Sequence, residues 1–303
     1  DAAMSLGLLP GTAVGASLID AHAGSLGSLG SASGPLTKEL ALIAGTSACT
    51  MSVASSPAFV PGIWGPYFGA LLPGLWLNEG GQSAFGAALD YMIAMHPAFG
   101  QAQADAAKAN LSVLAYLEGC AVREAGGLDH VAELAAAVNI VPELLGNRSP
   151  HADPGAGAVM AGIRLDYSLS ALVELFVATI CGLAYGTRDI IDALECHGQE
   201  IETIVISGGA AHSPLLRRIL SDATGKRVAL PVNPEPVLLG GAILGATACG
   251  AYGSVNEAAA AMVGERLHME PDTGRSATLH MRKWQAYQIL KAAERQVRGD
   301  TIM

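Results

Sequence analysis

Apolar and polar positions along this chain follow two periods, and the places where one gives way to the other mark the predicted elements. Residues 202–206 form an apolar run of strand length that ends on Ser207, Gly208 and Gly209, and a helix is predicted from about residue 213. Leu169, Leu172, Val173, Phe176, Ile180 and Leu183 recur at helical spacing, and the pattern continues to Leu194, which predicts one long amphipathic helix. Two apolar runs flank Gly45, Thr46 and Ser47, the pattern of a β-hairpin with a small polar tip. A strand is expected near residues 75–77, followed by a helix from the GGQSAFG turn. Residues 104–124 and 129–138 read as alanine-rich helices, 228–230 as a short strand, 237 onward as a Gly/Ala-rich helix and 281–297 as the last helix. Residues 24–34, rich in Gly and Ser, read as a flexible connector. Hairpin first, then helices alternating with strands, predicts an α/β fold with a mixed β-sheet flanked by helices. Ligands of such sheets sit at strand ends, where the glycine turns lie.

Composition narrows the classes. The chain has 303 residues, 51% hydrophobic and 15% charged, with 37 glycines, which describes a well-buried α/β protein. Its net charge of −10 advertises no basic face for nucleic acid or anionic lipid. The five cysteines form no C-x-x-C pair and read as reduced, mostly buried thiols of a cytoplasmic protein. The uncharged residues 236–256 are Gly- and Ala-rich and read as a buried helix rather than a membrane span.

Several chemistries fail on spacing. TGKRV at 224–228 has Arg227 where a Walker A loop needs Ser or Thr, and no G-x-G-x-x-G follows a strand. No H-E-x-x-H, paired C-x-x-C or spaced histidine cluster points to zinc, and His151, His197 and His212 share no metal-binding pattern. Two devices remain. The amides and hydroxyls of Gly45, Thr46 and Ser47 suit phosphate oxygens, although an ordinary hairpin tip has the same residues. Gly208 and Gly209 would let a ligand approach the backbone, with the amides of the next helix facing it, although a tight structural turn needs glycines too.

Taken together, the G-T-S tip, ISGGAAHS, NEGGQSAFGAALDY, LGNRSPHADPGAGAVMAGI, YGTRDIIDAL and EPVLLGGAILGATACGAYGSVNEA resemble the C-terminal half of an FGGY-family carbohydrate kinase, and the likeness extends over nearly all of the chain. NRSP and VLLG point to the D-ribulokinase-like branch. The resemblance implies a ribonuclease H-like/actin-like ATPase lobe over residues 35–303. Residues 1–34 would then close a first lobe and carry the catalytic aspartate, with the sugar-binding lobe lying outside this chain. It implies ATP as phosphoryl donor, with Mg²⁺ held by that other lobe and no metal ligands here. Asp20 would be the base, and Gly45, Thr46 and Ser47 would hold phosphate. Gly208, Gly209, Ala210 and Ser213 would close over adenosine, and Gly86 would lie near the nucleotide. His22 would touch sugar or steady Asp20; Glu79 and Gln82 would order their loop, and Asp90 reads as a solvated acid. Asn147, Arg148, Ser149 and Pro150 read as a structural turn, with Arg148 paired to a carboxylate across the domain. The implied reaction is D-ribulose to D-ribulose 5-phosphate. L-ribulose, xylulose, ribitol and glycerol stay open as substrates, as does a non-catalytic actin-like ATP-binding module. Partners would be small molecules, with no nucleic acid or membrane, and a homodimer stays open. The isolated half is expected to phosphorylate sugar poorly.

Overall fold

Strand β1 (Glu39–Ala44) is buried on both sides: Leu40, Leu42 and Ala44 enter one hydrophobic core, and Ala41 enters another. Burial of both faces belongs to a central strand covered by helices above and below. The structure, a computed structural model, describes residues 1–29 and 35–299. Beside β1 run β2 (Ala48–Ala54), β3 (Trp64–Phe68) and β4 (Trp76–Gln82) on one flank. After a two-stranded ladder of β5 (Asn139–Val141) and β6 (Val159–Ala161), the other flank is built from β7 (Thr203–Ser207), β8 (Arg227–Pro231) and β9 (Arg266–Met269). The order β3-β4-β2-β1-β7-β8-β9 is mixed: β1, β7 and β8 are parallel, and the outer strands run antiparallel to their neighbours.

The larger core lies under α3 (Gly86–Ala94), α4 (Phe99–Lys108), α5 (Val113–Ala125), α6 (Leu169–Cys196), α7 (Pro214–Thr224) and α10 (Arg275–Arg298). Helix α6 is its axis. Ser168 caps it by accepting from the Ala171 amide, and fully buried Leu172, Phe176 and Ile190 each contribute about 2 kcal/mol of burial. By length and apolarity α6 could cross a membrane, but 78% of its most apolar window is buried among neighbours. The smaller core lies under α2 (Asp20–Ser28), α8 (Pro236–Ala248) and α9 (Val255–Met262), while α1 (Ala2–Ser5) buries nothing.

The hairpin, the long helix and the central strand lie where the apolar pattern puts them. Other segments differ. Residues 24–28 are no connector but the buried half of α2, and residues 30–34 lie outside the described residues. Their small side chains serve helix packing: a Cβ on Gly27 would stand 2.0 Å from the Pro236 carbonyl oxygen, and one on Gly240 would stand 2.0 Å from that of Ala23. α2 thus shares the smaller core with the sheet, and a boundary at residue 34 cuts through one packed body. Residues 104–124 break at Asn110, which has φ 56°, and Ser112 caps the new helix by accepting from the Ala115 amide. Residues 128–135 form a 3₁₀ segment, the expected strand at 75–77 extends to Gln82, and the last helix begins at Arg275. α8 buries only Pro236, Gly240 and Ile243 and leaves Leu238 exposed, so it covers the sheet instead of being enclosed. Only Cys120 and Cys181 are buried; Cys49 is half-buried, and Cys196 and Cys249 are exposed.

Candidate active site

The hairpin tip and the Gly-Gly turn meet at the C-terminal ends of β1 and β7, which are adjacent parallel strands. There a cavity of about 620 Å³ opens, with Gly45, Thr46, Gly86, Gly209, Ala210 and Ser213 in its lining. Its walls are apolar, from Phe85, Leu89, Leu114, Phe176, Ile180 and Leu216. Among the described residues that line it are Asp90, Glu118 and His212, but no lysine or arginine.

The tip is held from behind. Phe85 and Ala87 donate their amides to the Thr46 carbonyl, and Gly86 donates to Gly45. A Cβ on Gly86 would stand 2.9 Å from the Gly45 oxygen, so this glycine lets α3 seat against the tip. The amides of Thr46 and Ser47 have no acceptor among the described residues, which leaves them as donors for an anion. Ser47 completes the tip without lining the cavity.

The two glycines of the second bend have different jobs. Gly208 has φ 88°, and a Cβ there would stand 2.5 Å from the Ala44 carbonyl oxygen, so it locks the turn against the end of β1. Gly209 has open space around it and faces the cavity. The helix amides expected to face a ligand are instead spent inside the protein. Leu215 donates to Glu118 Oε1 at 2.9 Å, and Leu216 donates to Ser213 Oγ at 3.0 Å. Ser213 is therefore the N-cap of α7, and a 3₁₀ turn, Gly209–His212, separates that helix from the strand. The sequence does not mark Glu118 as a site residue, because its place depends on two helices distant along the chain.

Asp20 lies on the opposite face of the sheet. A Cβ on Gly24 would stand 3.7 Å from Ile43, whereas the Ser28 carbonyl accepts from Arg266, which is paired with Glu39. α2 therefore runs antiparallel to β1, and its first residue, Asp20, stands at the end that carries the tip. Asp20 is exposed, and its carboxylate accepts from the Ala21 amide at 2.8 Å. His22 Nε2 lies 3.2 Å from Glu79 Oε2 on β4, so both hold the start of α2 to the sheet. Neither Asp20 nor His22 lines the cavity, which lies across the tip from them. Gln82 donates to the Leu183 carbonyl and to Thr187, inside the core.

Arg148 has no carboxylate partner among the described residues. Its guanidinium stacks over Trp64, 4.7 Å from the ring centroid, and Nη1 points to Cys49 Sγ at 3.7 Å.

Known folds match this arrangement. A xylulose kinase from Rhodospirillum rubrum superposes with a TM-score of 0.68 at 21% identity, over 91% of this chain and 50% of that one. A glycerol kinase with ADP from Plasmodium falciparum gives 0.62 at 16%, over 89% and 50%. The sheet and its flanking helices are thus those of an actin-like ATPase lobe as found in sugar kinases. The family model for the C-terminal domain of the FGGY family of carbohydrate kinases matches residues 40–249, and the chain belongs to that family. An FGGY carbohydrate kinase domain-containing protein of Homo sapiens is 44% identical over 273 residues, 86% of this chain and 49% of that protein. A D-ribulokinase of Saccharomyces cerevisiae is 34% identical over 267 residues, 82% of this chain and 37% of that protein. The chain spans about half the length of the first of these relatives.

Proposed function

We propose that this chain is the nucleotide-binding half of an ATP-dependent kinase that phosphorylates a sugar hydroxyl, with a pentulose, D-ribulose first, as acceptor. One observation carries the reading: two glycine bends far apart in the chain, at residues 45–47 and 208–209, converge on one cavity, with Asp20 at the same edge of the sheet. The apolar cavity takes the nucleoside, and its two carboxylates keep phosphate out of it. The phosphates cross the tip, where the amides of Thr46 and Ser47 donate to their oxygens. Asp20 accepts the proton of the sugar hydroxyl as that oxygen attacks the γ-phosphorus, and ADP leaves. Mg²⁺ would neutralise phosphate charge. The described residues contain no group of three His, Cys, Asp or Glu that could hold a metal ion. D-ribulose rests on similarity to the yeast D-ribulokinase. The same reading has residues 1–34 bridge to a sugar-binding lobe and the protein act on small molecules in the cytoplasm.

The test is ADP release by the full-length protein with pentuloses, polyols and glycerol, repeated with Asp20→Asn. The expected result is pentulose-dependent turnover that falls by about 10³-fold or more in the variant while ATP affinity stays. Unchanged turnover in Asp20→Asn removes the mechanism, and ATP binding without phosphorylation of any sugar makes the lobe a non-catalytic module.

A further inference from the structure

We infer that Arg148 is a catalytic residue whose guanidinium binds the terminal phosphoryl group of the nucleotide. The inference rests on the nucleotide reading above.

Charge raises the question. A triphosphate needs positive countercharge, yet no lysine or arginine is among the described residues lining the nucleoside cavity, and the whole chain is at −10. Arg148 stands just beyond the tip. Cys49, which its Nη1 approaches, follows Ser47 by two residues of strand, roughly 7 Å.

Register decides which face it occupies. Cys49 pairs with Gly81, and Met51 and Trp64 both pair with Glu79. Directly paired residues share a face of a sheet, and alternate residues return to it. Cys49, Met51, Trp64 and Glu79 therefore share one face, which α2 covers: Ser25 Oγ donates to Met51 Sδ, and His22 meets Glu79. The guanidinium lies between Trp64 and Cys49 on that face, the one covered by α2, whose first residue is Asp20. A phosphate chain that leaves the cavity and crosses the tip ends between Asp20 and Arg148, where the transferred group must be when the sugar oxygen attacks.

The side chain is also set up for such a ligand. Trp64 fixes the plane of the guanidinium, the half-buried stem limits its freedom, and a sulfur is a weak acceptor that leaves the remaining N–H donors unspent. Arg266, by contrast, is fully buried and paired with Glu39. A planar fork with spare donors matches phosphoryl oxygens.

The test is calorimetric titration of the full-length protein with ATP, ADP and adenosine in the presence of Mg²⁺, for wild type, Arg148→Ala and Arg148→Lys. Arg148→Ala is expected to lose about 10- to 100-fold in ATP affinity while ADP and adenosine bind as before. Arg148→Lys should fall between, with an unchanged melting temperature; because it keeps the stem and the charge, it decides the matter if Arg148→Ala does not fold. Equal losses for ATP and ADP, or no loss for either, overturn the role of Arg148 and leave the nucleotide reading standing. A wild-type protein that binds none of the three ends both.

Discussion

At the level of single residues, neighbouring glycines that look alike in the sequence carry unlike burdens. Gly208 holds a positive φ against the end of β1, whereas Gly209 has open space where a methyl group would go. Gly208→Ala should therefore lower stability by about 1–3 kcal/mol, because the backbone strain and the contact with Ala44 cannot both be relieved. Gly209→Ala should melt like the wild type and instead weaken nucleotide binding. Thermal unfolding and ATP titration of the two variants separate the roles, and a stable Gly208→Ala protein would contradict the first. Arg148 teaches the same lesson with the opposite sign. The sequence suggests a carboxylate partner, and the fold supplies an indole face and a thiol.

Among elements, the pairing of α2 with α8 matters most for the proposed chemistry. Gly27 and Gly240 bring the two backbones into contact, and α2 carries Asp20 at its first position. A methyl group at either glycine has no room, so Gly27→Ala or Gly240→Ala must push the helices apart. The expected outcome is a loss of about 1–3 kcal/mol together with, under the proposed mechanism, a fall in kcat, since a displaced Asp20 would no longer meet the hydroxyl. Urea unfolding alongside turnover checks this, and a variant with lowered stability but unchanged kcat would show that Asp20 keeps its place. A Gly/Ser-rich stretch reads as a connector only while its neighbour is unknown. Once α8 lies against it, the same residues are what a close helix crossing needs.

For the molecule as a whole, α6, α7 and α10 enclose polar groups whose ionisation is tied to folding. His280, on α10, is 1% exposed; its Nδ1 meets the Tyr185 hydroxyl at 2.7 Å, and its Nε2 has no partner. Burial, with the nearby charges of Lys283, Arg188 and Arg218, pushes its pKa down to about 4. The folded protein thus favours the neutral ring. The corresponding stability is fully present above pH 6.5 and is lost as pH falls through about 4, amounting to about 3 kcal/mol. Urea midpoints measured from pH 7 to pH 4 should fall accordingly. His280→Asn should flatten that part of the profile, and an unchanged slope would refute the assignment. Asp189 acts lower on the scale. Burial alone would raise its carboxyl, but the His151 hydrogen bond and the charge of Lys291 outweigh it and hold the pKa at about 2. Its contribution, present above about pH 4, is lost only as pH falls toward 2.

The local pattern of apolar residues was enough for the hairpin with its Gly45–Ser47 tip, for helix α6 and for the buried strand ending at Ser207, because their periods arise within one element. Motif resemblance extended that to the family. Short strands such as β5, β6 and β9 escaped, since three or four residues hold too few periods to stand out. The order of the sheet, the crossing of α2 with α8, the use of the α7 amides by Glu118 and Ser213, and the place of Arg148 were not legible. Each depends on segments tens to hundreds of residues apart, and such contacts exist only after the chain has closed around its two cores.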